Sequence, residues 1–216
     1  MAEELPLFPL NTVLFPGMAL PLHIFEPRYR EMIGLCSQEK RPFGVVLIRE
    51  GAEVGDPATP FDVGTMARIV DVNRLEDGRM NVMTVGTKRF RILSYFNDRK
   101  PYMIGDVEPL ADDPTTGPSA ALSQDVAAQA QRYVAMIQAA AEQRLTPLRL
   151  PSDAEEASYA VAAMLRVRNR ERQRLLEMQS TAERLALEKQ LLERESAALT
   201  EFLQRRTGGV GPFSRN

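Results

Sequence analysis

Apolar residues fall in short runs over the first half of the chain and at helical spacing over the second. Residues 18–24 form an apolar run between Pro16-Gly17 and Glu26-Pro27. Residues 43–48 are continuously apolar and end in Arg49-Glu50-Gly51, which suits a strand buried on both faces. Residues 66–73 alternate. Asp77-Gly78 then gives a hairpin turn signal, and apolar Val82 and Val85 follow it. Residues 90–95 and 102–107 complete a set of short strands. One helix interrupts them: Pro27 suits a first turn, and Tyr29, Met32, Ile33 and Cys36 follow on one face. Short strands joined by tight turns predict a small barrel or curled sheet.

Residues 111–119 collect prolines, a glycine and hydroxyl side chains, the signature of a linker. Beyond them Val126, Ala130, Tyr133, Ile137 and Ala141 make one apolar helical stripe. Ser152 with Glu155 and Ser180 with Glu183 read as capping boxes. Ala160, Ala163, Met164 and Val167 supply a second stripe, and Leu185, Leu192 and Leu199 a third at heptad spacing. The expected organisation is a β-rich domain over residues 1–110, a linker over 111–122, a helical bundle over 123–206 and a flexible tail over 207–216. The fold class is α+β.

Composition narrows the function more by exclusion than by signal. Net charge is −2, and neither half is basic, which argues against phosphate-backbone binding as the main task. Tryptophan is absent and aromatics are 6% of the chain, too few for a large base-stacking platform. Cys36 is the only cysteine, so no internal disulfide forms, which fits a reducing compartment. The N-terminus lacks the basic and apolar segments of a signal peptide, and no run is long and apolar enough to span a bilayer. A cytoplasmic location is expected.

Catalytic motifs are not found. His23 is the only histidine, which excludes a histidine-built metal site, and it reads as structural. Cys36 ends an amphipathic helix and reads as a small hydrophobe. Neither a phosphate-binding Gly-x-x-x-x-Gly-Lys-Ser/Thr loop nor a Gly-x-Gly-x-x-Gly turn occurs. The expectation is therefore no enzyme, no cofactor and no metal. Arg166, Arg168, Arg170, Arg172 and Arg174 form an alternating run. It reads either as a solvated face, with Glu171 and Glu177 as screening partners, or as a site for an acidic partner or nucleic acid. The solvated face is the favoured reading.

Residues 5–33 are distinctive. They open Leu-Pro-Leu-Phe-Pro, turn at Phe15-Pro16-Gly17, and run through Ile24-Phe25-Glu26-Pro27-Arg28-Tyr29 into the short helix. With the segment Gly86-Thr87-Lys88-Arg89-Phe90-Arg91-Ile92, this resembles the N-terminal, substrate-binding domain of Lon proteases. The resemblance implies a PUA-like β-barrel followed by a helical bundle, in a stand-alone form without the ATPase and protease domains. It implies binding of unfolded or degron-bearing polypeptide, or of a protein partner. Phe8, Phe15, Phe25 and Tyr29 lie along the proline-rich path as the expected peptide-binding rings. The alternative is RNA binding through the barrel, with Arg68, Lys88, Arg89 and Arg91 as a basic groove. Residues 116–120 look like the serine motif of Lon proteases, but no aspartate precedes Gly117, and Ser119 is dismissed as a nucleophile.

Overall fold

The computed structural model describes residues 3–53, 58–115, 117–141 and 149–208. Of the tail expected over 207–216, residues 207 and 208 end the last helix and 209–216 lie outside the described residues, as does Thr116. The strands are β1 (Glu3–Leu10), β2 (Ala19–Ile24), β3 (Phe43–Glu50), β4 (Thr59–Pro60), β5 (Val63–Arg74), β6 (Met80–Phe96) and β7 (Ile104–Pro109). The helices are α1 (Pro27–Gln38), α2 (Ala120–Ala141), α3 (Ala154–Met164), α4 (Asn169–Glu177) and α5 (Thr181–Gly208). This is an α+β fold with a mostly antiparallel sheet.

The pairings run β1–β7–β6–β5–β3 and return to β1, so five strands close on themselves. The closing contact is parallel, Leu7 opposite Gly44 through Leu10 opposite Leu47. β1 achieves both pairings by dividing its length: residues 3–6 meet β7 and residues 7–10 meet β3. Pro6 and Pro9 sit inside this strand, which the sequence pattern passed over. β6 also exceeds its expectation. The two apolar runs at 80–85 and 90–95 belong to one strand of 17 residues.

Phe90 fills the ring interior with Leu5, Leu7, Val46, Met66, Met103 and Val107. Its ring requires glycines opposite it. A Cβ on Gly64 would stand 2.5 Å from the Val45 carbonyl oxygen, 2.6 Å from Val46 Cγ1 and 2.7 Å from the Phe90 ring. Backbone cannot yield there. Gly64→Ala is expected to cost about 1–3 kcal/mol of stability through overpacking. Urea unfolding would show it as a lower midpoint at unchanged slope.

The first half of β6 and the second half of β5 extend beyond the ring as a two-stranded arm, and β2 adds to its β6 side. α1 covers the inner face, burying Tyr29, Met32, Ile33 and Cys36 against Ile24, Met80 and Val82. The expected stripe of α1 is the one observed. The turn into β2 is Phe15-Pro16-Gly17-Met18, closed by Met18 N–H donating to the Phe15 carbonyl at 3.1 Å, with Gly17 at φ +77°. Proline then glycine is what a type II turn requires. Gly78, at φ +79°, ends the Leu75–Gly78 turn of the hairpin between β5 and β6, its N–H donating to the Leu75 carbonyl at 2.9 Å.

The helical half keeps the expected stripe of α2 and departs from the sequence pattern at α3. Asp153, not Ser152, caps α3, accepting from Glu156 N–H at 2.9 Å. The buried face of α3 is Ser158, Tyr159, Val161 and Ala162, shifted from the predicted stripe. Ser180 does cap α5, accepting from Glu183 N–H at 3.2 Å. Ser119 likewise accepts from Leu122 N–H at 3.2 Å at the start of α2, a capping role that accounts for a serine at that position.

Residues 111–119, read as a linker, include a buried anchor. The Asp112 side chain is 7% exposed and bridges Arg89 of β6 and Arg184 of α5. One apolar cluster joins Val13, Phe15, Leu47 and Val63 to Tyr133, Tyr159, Leu175 and Leu192, so the two halves share a core.

Candidate functional site

The arm presents an outer face that no described element covers. Strand alternation places Ala19, Pro21 and His23 of β2 on the side opposite Leu20, Leu22 and Ile24, which pack inward. Pro21 stands opposite Met83, His23 opposite Asn81 and Ala19 opposite Val85. Pro21 and Met83 are both exposed, so the centre of this face is an apolar cross-strand pair. Phe25 follows directly after β2 and is half exposed, its ring 6.3 Å from that of His23. Asn81, Arg68, Asp71 and Asn73 make a polar border on β6 and β5.

His23, read as structural, lies on the surface. Its Nδ1 is 2.7 Å from Asn81 Oδ1, which fixes the ring beside Phe25. Pro21 has an ordered consequence too. Among the described residues β2 pairs only with β6, and a proline within it removes one backbone donor from an edge strand. The face thus offers side chains more readily than a strand edge.

Of the four rings expected to bind peptide, the structure leaves only Phe25 outside. Phe8, Phe15 and Tyr29 are 7%, 0% and 5% exposed. Phe8 packs on Tyr29, with ring centres 4.1 Å apart, and also on Phe43. Phe15 sits under Tyr159 and the Arg172 guanidinium. Sequence spacing identified the path but not which rings turn inward. Met83 was missed because a lone methionine in an alternating strand carries no outward signal.

The basic groove expected on the barrel is incomplete. Arg68, Lys88 and Arg91 are exposed, but Arg89 is buried. It donates to the carbonyls of Leu176 and Met178, each at 2.6 Å, and pairs with Asp112. Its charge is used to hold α4 and α5 to the sheet. The arginine run also divides. The helix breaks between Met164 and Asn169, and Arg172 turns inward to the carbonyls of Ala163 and Leu165, both at 3.1 Å, and of Val13 at 3.2 Å.

Chemistry remains sparse. Burial pushes the Cys36 thiol up to about 11, so it is not a thiolate nucleophile near neutral pH. Among the described residues, no group of three or more histidine, cysteine or acidic side chains could hold a metal. No helix of the described residues is long and apolar enough to cross a membrane.

The family model of the ATP-dependent protease La (LON) substrate-binding domain matches residues 4–194. The chain belongs to the Lon substrate-binding domain family. It is 30% identical over 190 residues to Lon protease 2 of Syntrophobacter fumaroxidans, covering 84% of this chain and 23% of that protein. It is 25% identical over 181 residues to Lon protease 1 of Hydrogenovibrio crunogenus, covering 81% and 22%. The chain thus spans about a quarter of the length of these Lon relatives. Among solved structures, a Lon N-terminal domain protein from Xanthomonas campestris superposes with a TM-score of 0.63 at 28% identity, covering 85% of this chain and 95% of that one. The N-terminal domain of a Mycobacterium avium complex Lon protease gives 0.62 at 17% identity, covering 88% and 98%, a likeness of fold. The region matched in this chain is the substrate-binding part of Lon, which is a non-catalytic domain.

Proposed function

We propose that this protein is a binding module for unfolded or degron-bearing polypeptide and that the outer face of the arm makes the contact. The observation that carries the reading is the uncovered apolar surface of Pro21, Met83 and Phe25 in a Lon substrate-binding domain. Exposed apolar groups ringed by polar ones mark interaction surfaces. Methionine is flexible and polarizable, which suits ligands of varied sequence. Phe8, Phe15 and Tyr29 contribute from below, by holding β1, the Phe15-Pro16-Gly17 turn and α1 in place. Presentation of the bound segment to a Lon-type protease belongs to the same reading.

The test is fluorescence anisotropy with a labelled, permanently unfolded polypeptide across a salt series. The Phe25→Ser, Met83→Glu double variant is expected to bind about tenfold more weakly, a loss typical of a few central contacts. Its melting temperature should stay near that of the parent, since both side chains are solvent-facing. Binding should persist at high salt, as apolar contacts do. Unchanged affinity in the double variant would move the site elsewhere. Binding of single-stranded RNA instead, collapsing with salt, would favour a nucleic-acid role.

A further inference from the structure

The segment between α3 and α4 and the first turn of α4 carry Arg166, Arg168 and Arg170, all exposed. The backbone at Leu165 and again at Arg168 is extended, with ψ of 126° and 148°. Arg166 and Arg168 on this stretch open onto one concavity. Arg170 joins them from the helix. With Val167, Glu171, Arg194 and Glu195 they line a concavity of about 700 Å³.

Charge in this concavity is unbalanced. Its two carboxylates are both taken by one arginine: Arg194 pairs with Glu171 at 2.6 Å and with Glu195 at 2.9 Å. Glu171 also accepts from the Arg168 backbone N–H at 3.2 Å. Among the described residues, the guanidinium groups of Arg166, Arg168 and Arg170 form no ion pair. The buried arginines differ: Arg172 ends on backbone carbonyls and Arg184 on Asp112. Four arginines face two carboxylates here, Glu171 acting on Arg168 as well as on Arg194, so the concavity carries an excess of positive charge that an anionic partner would neutralise.

We propose that this concavity docks an acidic polypeptide segment, whose aspartate or glutamate side chains pair with Arg166, Arg168 and Arg170. Guanidinium forks match carboxylates in a bidentate way. A nucleic acid fits less well, because no aromatic ring lines the concavity to stack a base, and Glu171 and Glu195 stand inside it against a dense phosphate backbone. The surface lies on the helical half, apart from the β2–β6 face, so it stands or falls independently of the polypeptide-binding reading above.

The test uses a short labelled glutamate-rich peptide, with a lysine-rich peptide as control. The intact chain is expected to bind the acidic peptide at low salt and release it as salt rises. The Arg166→Glu, Arg168→Glu, Arg170→Glu variant should bind about tenfold or more weakly, as expected when a complementary charge patch is reversed. The Arg→Gln triple variant should fall between them. Both variants should keep the parent's affinity for the unfolded apolar polypeptide. No binding of the acidic peptide by the intact chain would overturn the proposal, as would equal binding by the charge-reversed chain. A single-stranded RNA binding more tightly through the same arginines would overturn it in favour of a nucleic-acid surface.

Discussion

Asp112→Ala is expected to lower stability by about 3–5 kcal/mol, the range for removing one partner of a buried ion pair. Asp112 receives Arg89 through Oδ1, and Arg184 through Oδ2 at 2.7 Å and Oδ1 at 3.2 Å. Thr181 and the Tyr159 hydroxyl donate to it as well, at 2.5 and 3.2 Å. Alanine would leave two guanidiniums beneath the helices, both nearly free of solvent, without the carboxylate that pairs with them and with Glu155 as the charge that still acts on both. The Tyr159 ring, 4.2 Å from Arg184 and 5.5 Å from Arg89, would offset little of this. Asp112→Asn keeps the shape and loses the charge, so it should fall between. Urea unfolding followed by a helix signal checks both. A loss under about 1 kcal/mol for alanine would mean that the shared apolar core alone holds the halves together, which is at odds with a buried, unpaired charge costing several times that.

The same carboxylate gives a pH signature. Burial pushes Asp112 up, but hydrogen bonds from Arg184 and Thr181, with the positive charges of Arg184 and Arg89, outweigh it and hold the carboxyl below its usual range. Its contribution is present above the unfolded-state value and is lost as pH falls through the lower folded value.

Glu188→Gln is expected to change the slope of stability in the opposite region of pH. Glu188 lies on α5 and is fully buried. Its Oε1 accepts from Ser158 on α3 at 2.7 Å, while its Oε2 has no hydrogen-bond partner among the described residues. Ser158 in turn accepts from Arg184 Nε at 2.7 Å. Burial raises the carboxyl to about 8, against opposing contributions from the Ser158 hydrogen bond and the Arg184 charge. The folded value exceeds the unfolded one, so the stabilisation is complete below the unfolded value of 4.5 and declines as pH rises toward 8. Glutamine is neutral throughout and should remove most of that decline. At neutral pH the gain is on the order of 3 kcal/mol, taking about 1.4 kcal/mol per unit of displacement. Thermal melts of parent and variant from mildly acid to mildly alkaline pH would show converging curves at the acid end and a widening gap above it. Parallel curves would mean that Glu188 titrates as an ordinary carboxylate.

Legibility of this fold in the sequence followed the range of the interactions. The stripes of α1 and α2 were readable because Tyr29, Met32, Ile33 and Cys36, and later Val126, Ala130, Tyr133 and Ile137, repeat within a few residues. The continuity of β6 was not, because Thr87-Lys88-Arg89 looks like a polar break. Arg89 is buried only by virtue of Asp112, 23 residues away, and carbonyls nearly 90 residues away. Gly86 sits in mid-strand because the Phe15 carbonyl crosses there, with 2.3 Å to a would-be Cβ. The candidate face was half visible. The Ile24-to-Tyr29 segment pointed to the region, and Phe25 belongs to it. Phe8, Phe15 and Tyr29 are aromatic residues on the same proline-rich path, and only tertiary packing separates a ring that faces water from one that does not.

The divided pairing of β1 bears on how the chain reaches this state. Glu3 meets Val107 and Leu7 meets Gly44, so the first strand joins partners roughly 40 and 100 residues further on. Contacts of such separation form late, because loop closure must be paid in entropy before they give any return. As the chain is made, β1 precedes both partners: its second half can pair once β3 has followed, while its first half waits for β7. Pro6 and Pro9 then have a second use: each removes a backbone donor from a strand that would otherwise offer itself to neighbouring nascent chains.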